Sequence, residues 1–277
     1  MQLIGYLPIG GIDGVSVFVP QDRMTTETLD RLNQACQDFA DHPGDIAVIV
    51  QSKTDPALSV AVNADLPIPS ASVIKIAVAC AATDHLDLSQ MQSVQALDET
   101  LYCSIVQAFE PSDQISLKAL IGLMIIVSDN PATSAILDAV GMERVNAWLR
   151  TKGLSDSNIE VGFTDSDLGA PLRANQTSAR DCLNLMKLID TTPDYAFIKH
   201  MLANNLRNER IPKHLPDDAI IAHKTGSLNG LCHDIAIIES PEAAYFLIVL
   251  ADGLPGDLDF QPEISRLSAE IYTLMSP

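Results

Sequence analysis

Ser72 and Lys75 stand three residues apart at the head of an almost uniformly apolar stretch: Val73, Ile74, Ile76, Ala77, Val78, Ala79, Cys80 and Ala81. In a helix, residues three apart share one face. A helix that is apolar all round is a buried one, and a buried lysine is costly without a partner or a task. Desolvation lowers the pKa of such an amine, and a neutral amine within reach of a hydroxyl is a general base for a serine nucleophile. The helix start and the backbone N–H of Ser72 would favour an oxyanion at the same place. The plainer alternative is a helix start whose lysine runs along the apolar surface to water. Pro67 and Pro69 exclude helix before this point, and Ser70 is expected to cap a helix over 71–82.

The elements that must position this pair can be read from periodicity. Residues 25–41 read as an amphipathic helix with Leu29, Leu32, Ala35, Cys36 and Phe39 on one face. Two strands, 46–50 and 58–62, form a hairpin turned by Thr54-Asp55-Pro56, and alternating valines at 15, 17 and 19 suggest a further short strand. The middle of the chain is helical. Ser116 caps a helix over 117–127, Asn130-Pro131 opens another that stops at Gly141, and 142–150 is a short helix closed by Gly153. The stretch 154–176 has no periodicity and reads as a long loop, of the kind usually reserved for function or disorder. A capping-box pattern, Ser178 followed by Asp181, starts a helix to about Ile189. Strands at 219–224, 233–239 and 244–250 and an amphipathic helix at 261–275 complete the chain.

The fold class expected is α/β in the α+β sense. A five-stranded antiparallel sheet drawn from both ends of the chain is flanked by terminal helices and carries an inserted all-helical lobe. The expected divisions are an N-terminal extension (1–24), a sheet domain (25–66 with 210–277) and a helical domain (67–209). The cleft between the domains is the natural place for a ligand.

Composition narrows the partners. The 277 residues are 47% hydrophobic, enough for a substantial core, and carry 17 basic against 36 acidic residues for a net charge of −19. That balance, with no basic run, argues against nucleic acid and anionic membrane surfaces. No apolar run reaches the ~18 residues a membrane span needs. The first basic residue is Arg23, so no cationic signal segment is visible. The expectation is a cytoplasmic protein, or a periplasmic or secreted one if a signal has been removed. Cys36, Cys80, Cys103, Cys182 and Cys232 are scattered and odd in number, as reduced thiols would be. His85, His200, His214 and His223 lack zinc spacing, so neither metal nor cofactor is expected. Cys232-His233-Asp234 resembles a triad on paper, but strand neighbours point to opposite faces, and His233 is expected to pack or hydrogen-bond near Lys224.

Two further triplets complete a pattern. Ser128-Asp129-Asn130 falls in the tight link between two helices, and Lys224-Thr225-Gly226-Ser227 at the end of a strand. Ser-x-x-Lys, Ser-Asp-Asn and Lys-Thr-Gly in this order resemble the class A β-lactamases and the penicillin-binding proteins, over roughly residue 25 to the C-terminus. The resemblance implies that Ser72 is the nucleophile, Lys75 its proton acceptor, and Ser128 a shuttle to the leaving nitrogen. It implies that Asn130 holds the acyl side chain, that Lys224 and Thr225 bind a substrate carboxylate, and that Gly226 lets substrate approach the strand. The N–H groups of Ser72 and Ser227 would form the oxyanion hole, and Asp129 would be structural. The partner would be a small acyl substrate: a β-lactam, ester or peptide.

One departure stands out. The family's Glu-x-x-Leu-Asn segment, whose glutamate activates the deacylating water, is missing from the loop after Ser-Asp-Asn. Glu160, Asp165 and Asp167 are the substitutes on offer. Without that base, β-lactam hydrolysis would stall at a slowly released acyl-enzyme. Esterase, peptidase or amidase chemistry on the same pair, and a penicillin-binding domain without turnover, remain the alternatives.

Overall fold

The structure is a computed structural model that describes residues 26–97, 100, 104–164 and 171–276. The extension 1–24 with its suggested strand, Cys103, Asp165 and Asp167 lie outside the described residues. In chain order the elements are α1 (Thr26–Ala40), β1 (Asp45–Ser52), β2 (Ser59–Val62), β3 (Ile68–Pro69), a 3₁₀ turn (Ala71–Ile74) and α2 (Lys75–His85). There follow β4 (Met91–Ser93), β5 (Gln114–Ser116), α3 (Leu117–Ile126), α4 (Asn130–Val140), α5 (Met142–Thr151), β6 (Gln176–Thr177) and α6 (Ala179–Thr191). The chain closes with α7 (Ala196–Ala203), β7 (Ile220–Leu228), β8 (Leu231–Glu239), β9 (Ala244–Asp252) and α8 (Asp257–Met275).

The main sheet has five strands in the order β2-β1-β9-β8-β7, antiparallel throughout. The pairing of β1 with β9, from Asp45↔Asp252 to Ser52↔Tyr245, joins the two ends of the chain as expected. Side chains alternate across a strand, so the sheet buries two different faces. Val48, Val50, Leu247 and Val249 pack under α1 and α8 through Leu32, Cys36, Phe39, Ile264 and Ile271. Ala47, Ile49, Ile235, Ile237 and Ile248 pack against α2 and the other central helices. Helix α2 is buried on every side from Lys75 to Ala82. Truncating one of its large side chains, such as Ile76, would cost about 2–5 kcal/mol.

Several local expectations change. Ser116 does cap α3, accepting from the Ala119 N–H at 3.2 Å. Ser178 likewise caps α6, but the reciprocal half of its box is absent: the Asp181 carboxylate instead accepts from Asp156 N and Ser157 Oγ. The aperiodic stretch is not featureless. Asn158 and Gln176 form an antiparallel bridge across its neck, and Pro171–Ala174 is a 3₁₀ turn. Strand β7 runs to Leu228, so the Lys-Thr-Gly triplet lies within it. Helix α7 was not expected at all. Among the described residues no helix is long and apolar enough to cross a membrane.

Candidate active site

Ser72 lies in a strap that enters α2 by way of β3. Ile68 and Pro69 pair with Thr177 and Gln176 of β6, and Ser70 donates its N–H to Asn175 O at 2.7 Å. Ala71 then takes φ +43°, a left-handed conformation that costs a non-glycine residue of order 1–3 kcal/mol and persists only when its surroundings impose it. This turn explains why Ser70 does not cap: it is itself in a helical conformation, and the helix begins as a 3₁₀ turn. Ser70 is fully buried, whereas Ser72 is half-exposed, so of the two hydroxyls it is that of Ser72 that a ligand can reach.

Lys75 is the first residue of α2, and its backbone N–H donates to Ser72 O and Val73 O. Its side chain has no solvent exposure. The Nζ donates to Asn130 Oδ1 at 2.7 Å, Ser128 O at 2.9 Å and Ser128 Oγ at 3.2 Å. The ammonium's three donors are thus spent on the Ser128–Asn130 link, and none is directed at Ser72. Burial, and then the charge of Lys224, hold the amine well below the usual lysine range, against the pull of Asp129. Ser128 reaches this position through a second left-handed residue, φ +64°. Asp129 fixes the link from behind. It caps α4 through Ala132 N and gathers Ser104 Oγ, Ile105 N and Val106 N on its other oxygen.

The opposite wall is β7, the edge strand of the sheet. Lys224 is fully buried, donates to Thr225 O at 2.9 Å, and has its pKa pushed down to about 7 by burial and the nearby Arg207, with Asp234 opposing. Gly226 is required by packing. A Cβ there would stand 3.3 Å from Ala71 Cβ, Val73 Cγ1 and His233 Cδ2, so glycine lets the strand close onto the serine turn. Ser227 is exposed at the strand's outer end.

Arg210 is a residue the sequence reading missed. Its guanidinium is 3% exposed, and no carboxylate among the described residues pairs with it. It donates instead to Gly226 O, His233 O and Ser227 Oγ. A buried, always-charged group bonded to the Lys-Thr-Gly-Ser segment makes this end of β7 attractive to an anion. The segment bearing it is tied down next door: Asp234 accepts from Ile211 N at 3.1 Å and faces His223 Nδ1 at 2.9 Å, while His223 Nε2 faces Asn208 Oδ1. Asp234 therefore partners His223, not His233. Cys232 packs into the core under the terminal helices, and His233 points to the other face, as strand alternation requires.

The loop brings an aromatic ring to Lys75. Phe163 is buried, and its ring centroid lies 4.8 Å from Lys75 Nζ, a cation–π distance. Asn175, fully buried, holds this part of the loop by accepting from Glu160 N and Val161 N and donating to Val161 O. Glu160 is exposed and accepts from Asn158 Nδ2 at 2.8 Å, which places it on the surface of the loop. Among the described residues no group of three or more His, Cys, Asp or Glu could hold a metal ion.

Comparison with known proteins agrees with this architecture. The family model of the beta-lactamase enzyme family matches residues 28–275. The beta-lactamase regulatory protein BlaB of Streptomyces cacaoi is 21% identical, over 76% of this chain and 85% of that protein. The structure of PBP-A superimposes with a TM-score of 0.76 at 23% identity, over 92% of this chain and 97% of the other. The β-lactamase of Sphaerobacter thermophilus gives 0.78 at 21% identity, over 87% and 95%. At such identities the structural likeness establishes the fold alone. The family model, however, spans nearly the whole chain, from α1 to the end of α8, and on that match the chain belongs to the beta-lactamase enzyme family.

Proposed function

We propose that this protein acylates itself on Ser72 with β-lactams or related acyl compounds, in a cleft between a helical lobe (67–209) and a sheet domain (25–66 with 210–277), and releases the product slowly. The observation that carries the reading is the fully buried Lys75 amine, one turn from Ser72 and bonded to both Ser128 and Asn130. With its pKa lowered by burial and by the charge of Lys224, Lys75 gives up its proton more readily than an ordinary lysine. The neutral amine takes the Ser72 Oγ proton as that oxygen bonds to the substrate carbonyl carbon. The resulting oxyanion is received by the N–H groups of Ser72 and Ser227. When the C–N bond breaks, Ser128 Oγ gives its proton to the leaving nitrogen and recovers one from the Lys75 ammonium beside it. Lys224, Thr225 and Arg210 hold the substrate carboxylate, and Asn130 the acyl side chain.

The loop favours slow release. Deacylation needs a base that positions a water, and general-base assistance is typically worth about 10²–10⁴-fold. Among the described residues of the loop, the group turned to Lys75 is the phenyl of Phe163, which has no proton to exchange. Glu160 is held away on the surface by Asn158. A leucine-to-glutamate mutant of PBP-A has been solved as an acyl-enzyme complex with penicillin G, so this fold supports a penicillin adduct stable enough to be seen. The Phe163 ring beside Lys75 also favours a second reading, a penicillin-binding protein that acylates once. Intact mass spectrometry after mixing with a slight excess of benzylpenicillin tests both. An adduct on Ser72 that persists for minutes is expected, and Ser72→Ala abolishes it. Labelling at Ser70 refutes the nucleophile assignment, and free enzyme returning within seconds refutes slow release. Turnover of a nitrophenyl ester with no penicillin adduct would move the assignment to an esterase.

A further inference from the structure

We propose that His233 is a positioning residue for Ser72: by donating to the Pro69 carbonyl it holds the strained Ala71 turn, and with it the Ser72 hydroxyl and N–H, against β7. The inference rests on the reading of Ser72 as nucleophile. His233 is fully buried on β8, directly opposite Gly226. Its ring edge, like Ala71 Cβ and Val73 Cγ1, lies 3.3 Å from where a Cβ on Gly226 would stand, so the ring and the serine turn line the same small space.

The hydrogen bonds determine its state. Ala251 N donates to Nδ1 at 3.0 Å, so Nδ1 carries no proton and Nε2 must. Nε2 therefore donates to Pro69 O, at 2.8 Å. Burial, reinforced by the charge of Arg210, pushes the ring pKa down to about 4, so this single tautomer holds throughout the neutral range.

The strap needs such an anchor. Pro69 has no N–H, so its short pairing with Gln176 lacks a donor that any other residue would supply. On the loop side the strap is then held by Ser70 N to Asn175 O. Two residues on is Ala71, whose φ of +43° must be enforced. His233 enforces it from the sheet, linking the strap to the β9 backbone through one rigid ring. Packing alone would not require a donor at Nε2. Loss of this bond lets the turn relax, and a displacement of about 1 Å at a nucleophile can cost about 10²-fold.

The test compares His233→Asn with His233→Gln. Asparagine can still accept from Ala251 but is too short to reach Pro69, whereas glutamine reaches it. Acylation by benzylpenicillin is followed by rapid quench and intact mass over a range of concentrations, which separates the limiting rate constant from the half-saturation concentration. We expect His233→Asn to lower the rate constant about 10- to 100-fold with half-saturation changed less than about twofold, and His233→Gln to recover most of the rate. The crystal structure of His233→Asn should show Ala71 released from the left-handed region. Parental acylation by His233→Asn, or an equal loss in both parameters that glutamine does not rescue, overturns the proposal. Should His233→Asn not fold, His233→Gln decides: a slow constant with the Pro69 bond present in its crystal structure, or a parental one without it, refutes the role. If the parent itself takes no label on Ser72, the proposed function fails, and the strap is then judged on the Ala71 conformation in His233→Asn alone.

Discussion

The two sides of the Lys75 amine differ in kind. Toward α3 and α4 it meets three oxygens, on Ser128 and Asn130, each within hydrogen-bond distance. Toward the loop it meets the face of Phe163. The first environment moves protons, and the second excludes water while still favouring positive charge. On the proposed mechanism, the polar side serves attack on the acyl group and the aromatic side withholds help from its hydrolysis. Among the described residues, one buried amine thus meets proton-exchanging groups on one face and an aromatic ring on the other.

The largest expected effect breaks the polar side. Lys75→Arg leaves a permanent charge that cannot accept the Ser72 proton, and acylation should fall by about 10²–10⁴-fold. Labelling at the parental rate would show that Lys75 is not the base. A smaller effect, of the opposite sense, should come from the aromatic side. Phe163→Glu would set a carboxylate beside Lys75, raising its pKa and slowing acylation, while supplying a base for water. Release of the penicilloyl group should quicken at least about tenfold, read as the decay of the adduct by intact mass. An unchanged lifetime would mean that the ring does not stand where the water must.

The smallest effect concerns the buried cations themselves. Lys224 has its pKa lowered from 10.5 to about 7, so between those values the unfolded chain holds a proton that the folded one does not. Stability should therefore rise as pH increases from 7, with a slope of order 1 kcal/mol per pH unit from this group, and the depressed Lys75 adds in the same direction. The cost is fully present below pH 7 and is recovered toward pH 10. Urea midpoints at pH 7, 8 and 9 should climb in the parent and climb less in Lys224→Met. Parallel curves would place the Lys224 charge in a better-solvated site than the structure gives it.

What could be read beforehand follows the range of the forces involved. Ser72 and Lys75, the Ser128–Asn130 link and the Lys224–Ser227 segment are local words, each a few residues long, so their spacing carries their meaning. The five strands and the terminal helices follow from alternation and from apolar stripes. Arg210 could not be read this way. It is one basic residue among several (Arg207, Lys213) in an aperiodic connection, and its importance arises from bonds to Gly226, Ser227 and His233 on two strands. Phe163 is likewise one aromatic in a loop, and nothing near it in sequence points to Lys75. The Ser70 cap failed because the pairing of Ile68 and Pro69 with β6 and the crowding beneath Gly226 impose a backbone on Ala71 that local preference would not choose. The expected strand stops at Lys224 because Gly226 is a weak strand former, and β8 holds the longer β7 in register.

The β1–β9 ladder also fixes the order in which this molecule can be made. Asp45–Ser52 emerges well before its partner Ala244–Asp252, with the whole helical block made between them. Until then the growing chain carries a strand with an open edge and the apolar side chains of Ile46, Val48 and Val50, which are the ingredients of mispairing between chains. The central helices, with their largely local contacts, can assemble during that wait, but closure of the sheet is a long-range event and hence the slow one. A chain interrupted just before Ala244 would keep all three sequence motifs and still lack the strand that holds the sheet together.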